Sequence, residues 1–516
     1  MQEKILKDLV KKNPQTAEEF LSWKRYISKK YKINLLQNSE LIETYKKMIK
    51  KGKIKSNKKL ENLIKKRAVR TSSGVSVITV LTKPYKCPGN CIYCPSEPKM
   101  PKSYLSNEPA AQRALRLKFD PVKQVQMRIQ ALEANGHKVD KIELLVLGGS
   151  FTAYTDKYQK DFITKCFYAA NIYEKKRKIK SLEQEQDINE KAKYKIIGLT
   201  FETRPDEINE KNIKFFRELG CTRVQLGIQH IDNKILAINK RGHTVEDSIK
   251  ATKLLKQNGF KVDHHYMPDL PGSTPAKDLA MVKKVFTDPD FKPDQIKIYP
   301  CVVNEYAEVS KWFKQKKYRP YSKKQLFNLL KGIKEITPYW VRINRLVRDI
   351  PKDSIIAGNK ITNLRQYLKQ ETKCKCIRCR EVGNKEFKKP KLFITKYKAS
   401  QGIEYFISYE SSKRDILYAF LRLRFNNKKT QNIFPILKDT ALIRELHVYG
   451  QMLPTGDKLK TKIQHQGLGK KLMQQAEKIS KQNKYTKIAV ISGIGVRGYY
   501  KKLGYQLKDT YLIKNI

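Results

Sequence analysis

The chain has 516 residues, 40% of them apolar, and carries 108 Lys and Arg against 50 Asp and Glu, a net charge of +58. Its length exceeds a single core and points to two to four domains, while the apolar share excludes wholesale disorder. The charge points to a polyanionic partner, nucleic acid first; charged opening residues and the lack of a bilayer-length apolar run lead us to expect a cytoplasmic protein with no membrane contact.

Residues 1–72 read as a basic helical segment. Apolar stripes run through Ile5, Leu9, Phe20, Leu21 and Trp23, then through Leu41, Ile42, Tyr45 and Ile49. From Lys46 to Arg70 the segment is strongly basic with apolar residues interleaved, a pattern suited to RNA. A run of charge on its own would be a solvated face.

Residues 73–345 alternate between strand-like and helix-like stretches. The expected strands are Val75–Thr82, Ile142–Gly148, Lys195–Phe201, Arg223–Gly227, Lys261–Tyr266 and Gln295–Tyr299. Repeated βα units imply a parallel sheet, here an α/β partial TIM-like (βα)6 barrel, whose chemistry gathers at the carboxyl ends of its strands. The first strand leads to Cys87-x3-Cys91-x2-Cys94. Three thiolates suit a four-iron cluster with one iron left open for a substrate. A zinc knuckle would need a nearby fourth ligand, and the next Cys or His downstream is His137. Nine cysteines, six of them in two tight trios, fit reduced metal ligands better than disulfides.

The first trio resembles the signature of radical S-adenosylmethionine (SAM) enzymes. In such enzymes a [4Fe-4S] cluster chelates SAM through the open iron and cleaves it to a 5′-deoxyadenosyl radical. On that reading Gly148 and Gly149 allow backbone to approach SAM. Glu202 accepts from its ribose or amine, and Arg204 pairs with its carboxylate. A structural ion pair is the alternative for Glu202 and Arg204.

Residues 346–392 read as a polar linker with a second trio, Cys374-x-Cys376-x2-Cys379, whose close spacing suits a structural zinc completed by a distant ligand or water. Residues 393–516 read as an α/β domain. A meander is followed by Gln464-x-x-Gly467-Leu468-Gly469-Lys470 opening a helix, then by a strand and Tyr499-Tyr500. Glycines at a helix N-terminus suit a phosphate. This order resembles a GCN5-related N-acetyltransferase (GNAT). There acetyl-CoA lies in a splay between strands, its pyrophosphate on the Gln464–Lys470 loop, with Glu445, Leu446, His447 and Val448 facing the thioester. Tyr499 or Tyr500 would then protonate the leaving thiolate; packing in the core is their plainer role.

A cysteine trio joined to such a domain resembles the catalytic subunit of Elongator. The strings that carry the likeness are Cys-Pro-Gly-Asn-Cys-Ile-Tyr-Cys-Pro (87–95), Val-Asp-Lys-Ile-Glu (139–143), Arg-Glu-Leu-His-Val-Tyr-Gly (444–450), Gln-His-Gln-Gly-Leu-Gly (464–469) and Arg-Gly-Tyr-Tyr-Lys-Lys-Leu-Gly-Tyr (497–505). By this resemblance Lys141, Glu445 to Val448, Leu468 to Lys470 and Tyr500 contact acetyl-CoA. The implied reaction moves a carbon radical from the acetyl methyl group to C5 of uridine 34 of tRNA, and thioester hydrolysis leaves a carboxymethyl group. The implied partners are the tRNA anticodon stem–loop, an electron donor, and a second copy or Elongator-like subunits. The rival expectation is a protein-lysine acetyltransferase with a structural barrel, in which Glu445 is the general base.

Overall fold

A computed structural model describes residues 1–65, 74–173, 177–361, 363–383, 385, 389–427, 429–430, 432–449 and 467–516. Its first sheet has seven parallel strands in chain order: β1 (Ser76–Leu81), β2 (Lys141–Leu147), β3 (Lys195–Thr203), β4 (Arg223–Gln229), β5 (Lys261–Tyr266), β6 (Gln295–Ile298) and β7 (Arg342–Arg345). The six expected strands are all present. The seventh corrects the (βα)6 count. It is a four-residue strand, Arg-Ile-Asn-Arg, with only Ile343 buried, so it carries no apolar pattern to read.

Helices cover the outer face. The helix Pro121–Ala134 starts where the Asp120 carboxylate accepts from the Val122 and Lys123 amides, with Pro121 at its first position. Ser181, Thr244 and Ser322 open three more through reciprocal capping boxes. Their apolar stripes meet β-strand residues such as Ile142, Leu144, Val224 and Val262 in one large core.

Beyond β7, Arg348 reaches back to the segment that follows β1. It donates to Glu108 at 2.7 Å and 3.1 Å and to Ser103 Oγ at 3.2 Å. Leu105, Ile350 and Ile355 pack beside it. Side chains thus strap the two edge strands, which share no ladder.

Helices Gln2–Lys12, Ala17–Lys30, Asn38–Lys50 and Lys58–Ile64 form the N-terminal segment around a small core of Ile5, Leu9, Phe20, Trp23, Leu41, Ile42 and Tyr45. Leu21, expected in its apolar stripe, is exposed instead. Beyond Lys65 the basic run lies outside the described residues.

The second sheet is mixed, in the order β13-β14-β12-β11-β10-β9-β8. Its strands are β8 (Lys391–Ala399), β9 (Gly402–Glu410), β10 (Leu417–Asn426), β11 (Thr440–Val448), β12 (Lys487–Val490), β13 (Gln506–Lys508) and β14 (Tyr511–Asn515). Only β11 and β12 run parallel, and the helix Leu468–Gln482 lies between them in sequence. This sheet abuts the amino ends of the first. Arg444 donates to Asp294 at 2.6 and 2.8 Å and to Glu404 at 2.8 Å, with all three side chains fully buried. A Cβ on Gly493 would lie 2.0 Å from the Ile197 carbonyl oxygen, so the two backbones nearly touch. Among the described residues no helix is long and apolar enough to cross a membrane.

Candidate functional site

The loop after β1 carries Cys87, Cys91 and Cys94 to the carboxyl end of the barrel, where later loops hold it. The Ile92 amide donates to the Asn239 carbonyl at 3.2 Å, and the Ile92 carbonyl accepts from Val309 at 2.8 Å. Arg241 is buried below; it donates to Cys91 Sγ at 3.5 Å and to the Gly227 carbonyl at the end of β4. Burial works to raise the Cys91 pKa, yet Arg241 and the Tyr93 hydroxyl hold the thiol below its ordinary value. Burial and the neighbouring Cys91 push Cys94 up to about 12.

Arg204 lies against the same loop. Its Nε and Nη2 grip the Asp206 carboxylate at 2.9–3.2 Å, while Nη1 is buried without a partner. A Cβ on Gly89 would lie 2.2 Å from that nitrogen. Arg204 is therefore partly the structural ion pair and partly free to meet a ligand. Glu202 is not paired with it. The Glu202 carboxylate accepts from the Tyr104 hydroxyl at 2.7 Å and faces His265 at 3.5 Å. Gly148 has φ 142°, and a Cβ there would lie 1.9 Å from Thr82 Oγ1; Gly149 has φ 92° and faces the Lys102 carbonyl. Gly148 needs glycine because the ends of β1 and β2 meet closely there, and Gly149 because its positive φ brings it against the Lys102 carbonyl.

Between this rim and the second sheet the barrel lumen is polar. Arg223 donates to Thr200 and Gln295, both at 2.9 Å, and pairs with Glu143 at 2.8 Å. Lys297 donates to Gln225 at 2.6 Å, and Asn344 to Asp263 at 2.7 Å. Burial, opposed by Asp263 and Glu202, brings Lys297 down to about 8. Burial, reinforced by Lys297, keeps His265 neutral, and its Nε2 has no partner. Six of these side chains, Arg223 and Gln225, Asp263 and His265, Gln295 and Lys297, come from alternate residues of β4, β5 and β6, an alternation that the sequence does display.

At the amino end of the lumen lies β11. Its ladder to β12 stops at Ile443, whereas its ladder to β10 continues to Val448. Glu445, Leu446, His447 and Val448 are thus half-buried on a strand with one edge released. Arg422 donates to Glu445 at 2.9 Å, and Lys261 at 3.3 Å. Burial raises the Glu445 pKa, but Lys261 and Arg422 outweigh it and take the value down to about 2. Burial lowers His447 to about 4. Lys141, at the start of β2, lies at this same end of the barrel.

Gly467 is exposed with φ 66° and opens the helix Leu468–Gln482 without a side-chain cap; Leu468 is buried and Lys470 exposed. Gln464 lies outside the described residues. Tyr500 is buried and Tyr499 is 39% exposed, its hydroxyl 2.9 Å from where a Gly469 Cβ would stand. Burial raises both phenols above their ordinary value, so both keep their protons at neutral pH.

Cys374, Cys376 and Cys379 lie beneath β7, with Cys376 in the core and at the start of the short helix Ile377–Arg380. Among the described residues they form the group of three whose ligand atoms all fall within 4.8 Å, and no fourth His, Cys, Asp or Glu joins them. Hydrogen bonds from the other two thiols hold Cys376 well below the ordinary thiol value. Three thiols this close fit one tetrahedral ion. The ligand atoms of Cys87, Cys91 and Cys94 do not all lie within that distance of one another.

Sequence reasoning missed Arg241, Tyr104 and Arg348. Arg241 and Arg348 reach the rim from loops far along the chain and Tyr104 from the segment just after the cysteine trio, and none stands in a local pattern.

Two family patterns match the chain: the Radical SAM superfamily over residues 81–284 and the Radical SAM C-terminal domain over residues 293–374. A tRNA uridine(34) acetyltransferase of Methanocaldococcus jannaschii is 46% identical, over 88% of this chain and 86% of its own. The human Elongator complex protein 3 is 36% identical, over 87% of this chain and 86% of its own. Among solved structures, an archaeal Elp3 of Methanocaldococcus infernus lacking residues 1–46 superposes with a TM-score of 0.75 at 41% identity, covering 86% of this chain and all of that one.

Proposed function

The chain belongs to the radical SAM family of tRNA uridine(34) acetyltransferases and Elongator complex proteins 3, and from that premise we propose that it adds a carboxymethyl group to C5 of the wobble uridine of tRNA. The observation that carries this reading is the polar lumen, with cluster ligands at one end and the released edge of β11 at the other. A cluster and SAM, when bound, supply the carbon-centred radical that neither an acetyl methyl group nor uridine C5 yields to acid–base chemistry.

Cys87, Cys91 and Cys94 are the cluster ligands, with Arg241 holding the Cys91 sulfur. Gly148, Gly149, Glu202 and the free Nη1 of Arg204 line the SAM side. At the other end a GNAT-like arrangement takes acetyl-CoA. The free edge of Glu445 to Val448 would bond its pantetheine amides, and Gly467 to Lys470, with Gln464 ahead of them, would receive its pyrophosphate. Lys141, at the start of β2, would contact acetyl-CoA as well. Tyr500, a buried phenol, would give its proton to the departing thiolate, and Tyr499 has the same chemistry on a more exposed ring. The second trio holds a structural zinc, and residues 1–72 contribute basic surface to the tRNA. An electron donor, and a second copy or Elongator-like subunits, are the further partners this reading carries.

The rival lysine acetyltransferase needs Glu445 as a base. A carboxylate held at about 2 by Arg422 and Lys261 is too weak a base for that task. The test is anaerobic incubation of reconstituted protein with tRNA, SAM, acetyl-CoA and reductant, followed by mass spectrometry of the nucleosides. A carboxymethylated uridine is expected. Acetylation of protein lysines that proceeds without Cys87, Cys91 and Cys94, with the tRNA unchanged, would promote the rival.

A further inference from the structure

Two residues before the first cluster cysteine, Tyr85 stands 45% exposed on the rim. It is the outermost ring of a stack of three. Tyr85 lies on Tyr154 with centroids 4.8 Å apart and planes at 27°, and Tyr154 lies on Tyr158 at 4.8 Å and 24°. The lower rings are pinned to the end of β1. Thr82 donates to the Tyr154 hydroxyl at 2.8 Å, that hydroxyl donates to the Lys83 carbonyl at 2.5 Å, and the Lys83 amide donates to the Tyr158 hydroxyl at 3.1 Å.

A stack that served only packing would bury its last ring. This one presents it beside the cysteine loop. Lys83, Lys86 and Lys157, each within two residues of Tyr85 or Tyr158 in the chain, are exposed, and Lys83 Nζ sits 5.0 Å from the Tyr158 centroid at the inner end of the stack. An apolar protein surface would be a poor occupant of an exposed ring whose neighbours along the chain, Lys83 and Lys86, are exposed lysines. A flat π-face with phosphates on either side meets both features at once.

We infer that Tyr85 is the stacking platform for the nucleobase extruded from the RNA substrate, with Lys83, Lys86 and Lys157 contacting its phosphates. The inference rests on the tRNA reading above and names the residue that receives the flipped base. An aromatic floor two residues from Cys87 would hold a splayed base where the radical is made, and flipping requires such a surface to replace the lost stack.

The probe is an anticodon stem–loop RNA with fluorescent pyrrolocytidine at position 34, titrated into full-length reconstituted protein. The wild type should quench its emission on binding. Tyr85→Ala should lose the quench and about 5- to 150-fold in affinity, with the salt dependence unchanged because no phosphate contact is removed. Tyr85→Phe and Tyr85→Trp should restore both, and Tyr367→Ala, an exposed tyrosine elsewhere, should match the wild type. Undiminished quenching and affinity in Tyr85→Ala, or a Tyr85→Phe as defective as Tyr85→Ala, would overturn the platform alone. A wild type that fails to bind the RNA at all would overturn the substrate reading beneath it.

Discussion

Arg241 contributes a buried positive charge directly at the Cys91 sulfur. A donor to a cluster thiolate stabilises the reduced, more negative state. Arg241→Gln should therefore leave a cluster bound by the three cysteines, with a lower midpoint potential in an electron paramagnetic resonance titration. Cys91→Ala should lose the cluster absorbance itself. At the opposite end Tyr500→Phe removes a phenol proton and little volume. We expect modified uridine to fall by about 10²–10⁴-fold in a nucleoside assay, with acetyl-CoA still retained on the protein. A Tyr500→Phe variant of full activity would transfer the proton donor's role to Tyr499.

The elements join through glycine as much as through side chains. Gly493 sits where β3 and the second sheet touch, and the atom its Cβ would strike is a backbone carbonyl, which cannot swing aside. Gly493→Ala should cost about 1–3 kcal/mol, read as a lowered melting temperature. The first six strands of the barrel were legible because apolar β-formers recur along each, as in Ile142, Leu144 and Val146 or Val224, Leu226 and Ile228. Strands β7 and β13 were not, being short and polar or exposed, and β8 and β14 went unread beside them. The cysteine trios were legible because their ligands are neighbours in sequence. The Tyr85 stack was not, since its rings come from segments some seventy residues apart and only folding brings them together.

Across the whole molecule, the two sheets are locked by fully buried charges. Asp294→Asn would leave Arg444 and Arg422 short of a counter-charge, at about 3–5 kcal/mol, measurable by thermal or denaturant unfolding. Acid should act on the same seam. Glu445 drops from the ordinary 4.5 to about 2 on folding, so between those values the unfolded chain binds more protons than the folded one. Its contribution is complete above pH 4.5 and is lost as pH falls toward 2, and an acid melt should show the loss flattened in Glu445→Gln. A locked seam also fixes the distance between the two ends of the lumen, so motion must enter elsewhere. The strap of Arg348, Glu108 and Ser103 is where it can. A closed cylinder of strands is a rigid hoop that widens only by tearing a ladder. This one is a clasp, fastened by a handful of side-chain hydrogen bonds at its carboxyl mouth. Undoing the clasp leaves every ladder whole, so the mouth can yield to a bulky guest and spring shut again without the sheet's stability being at stake.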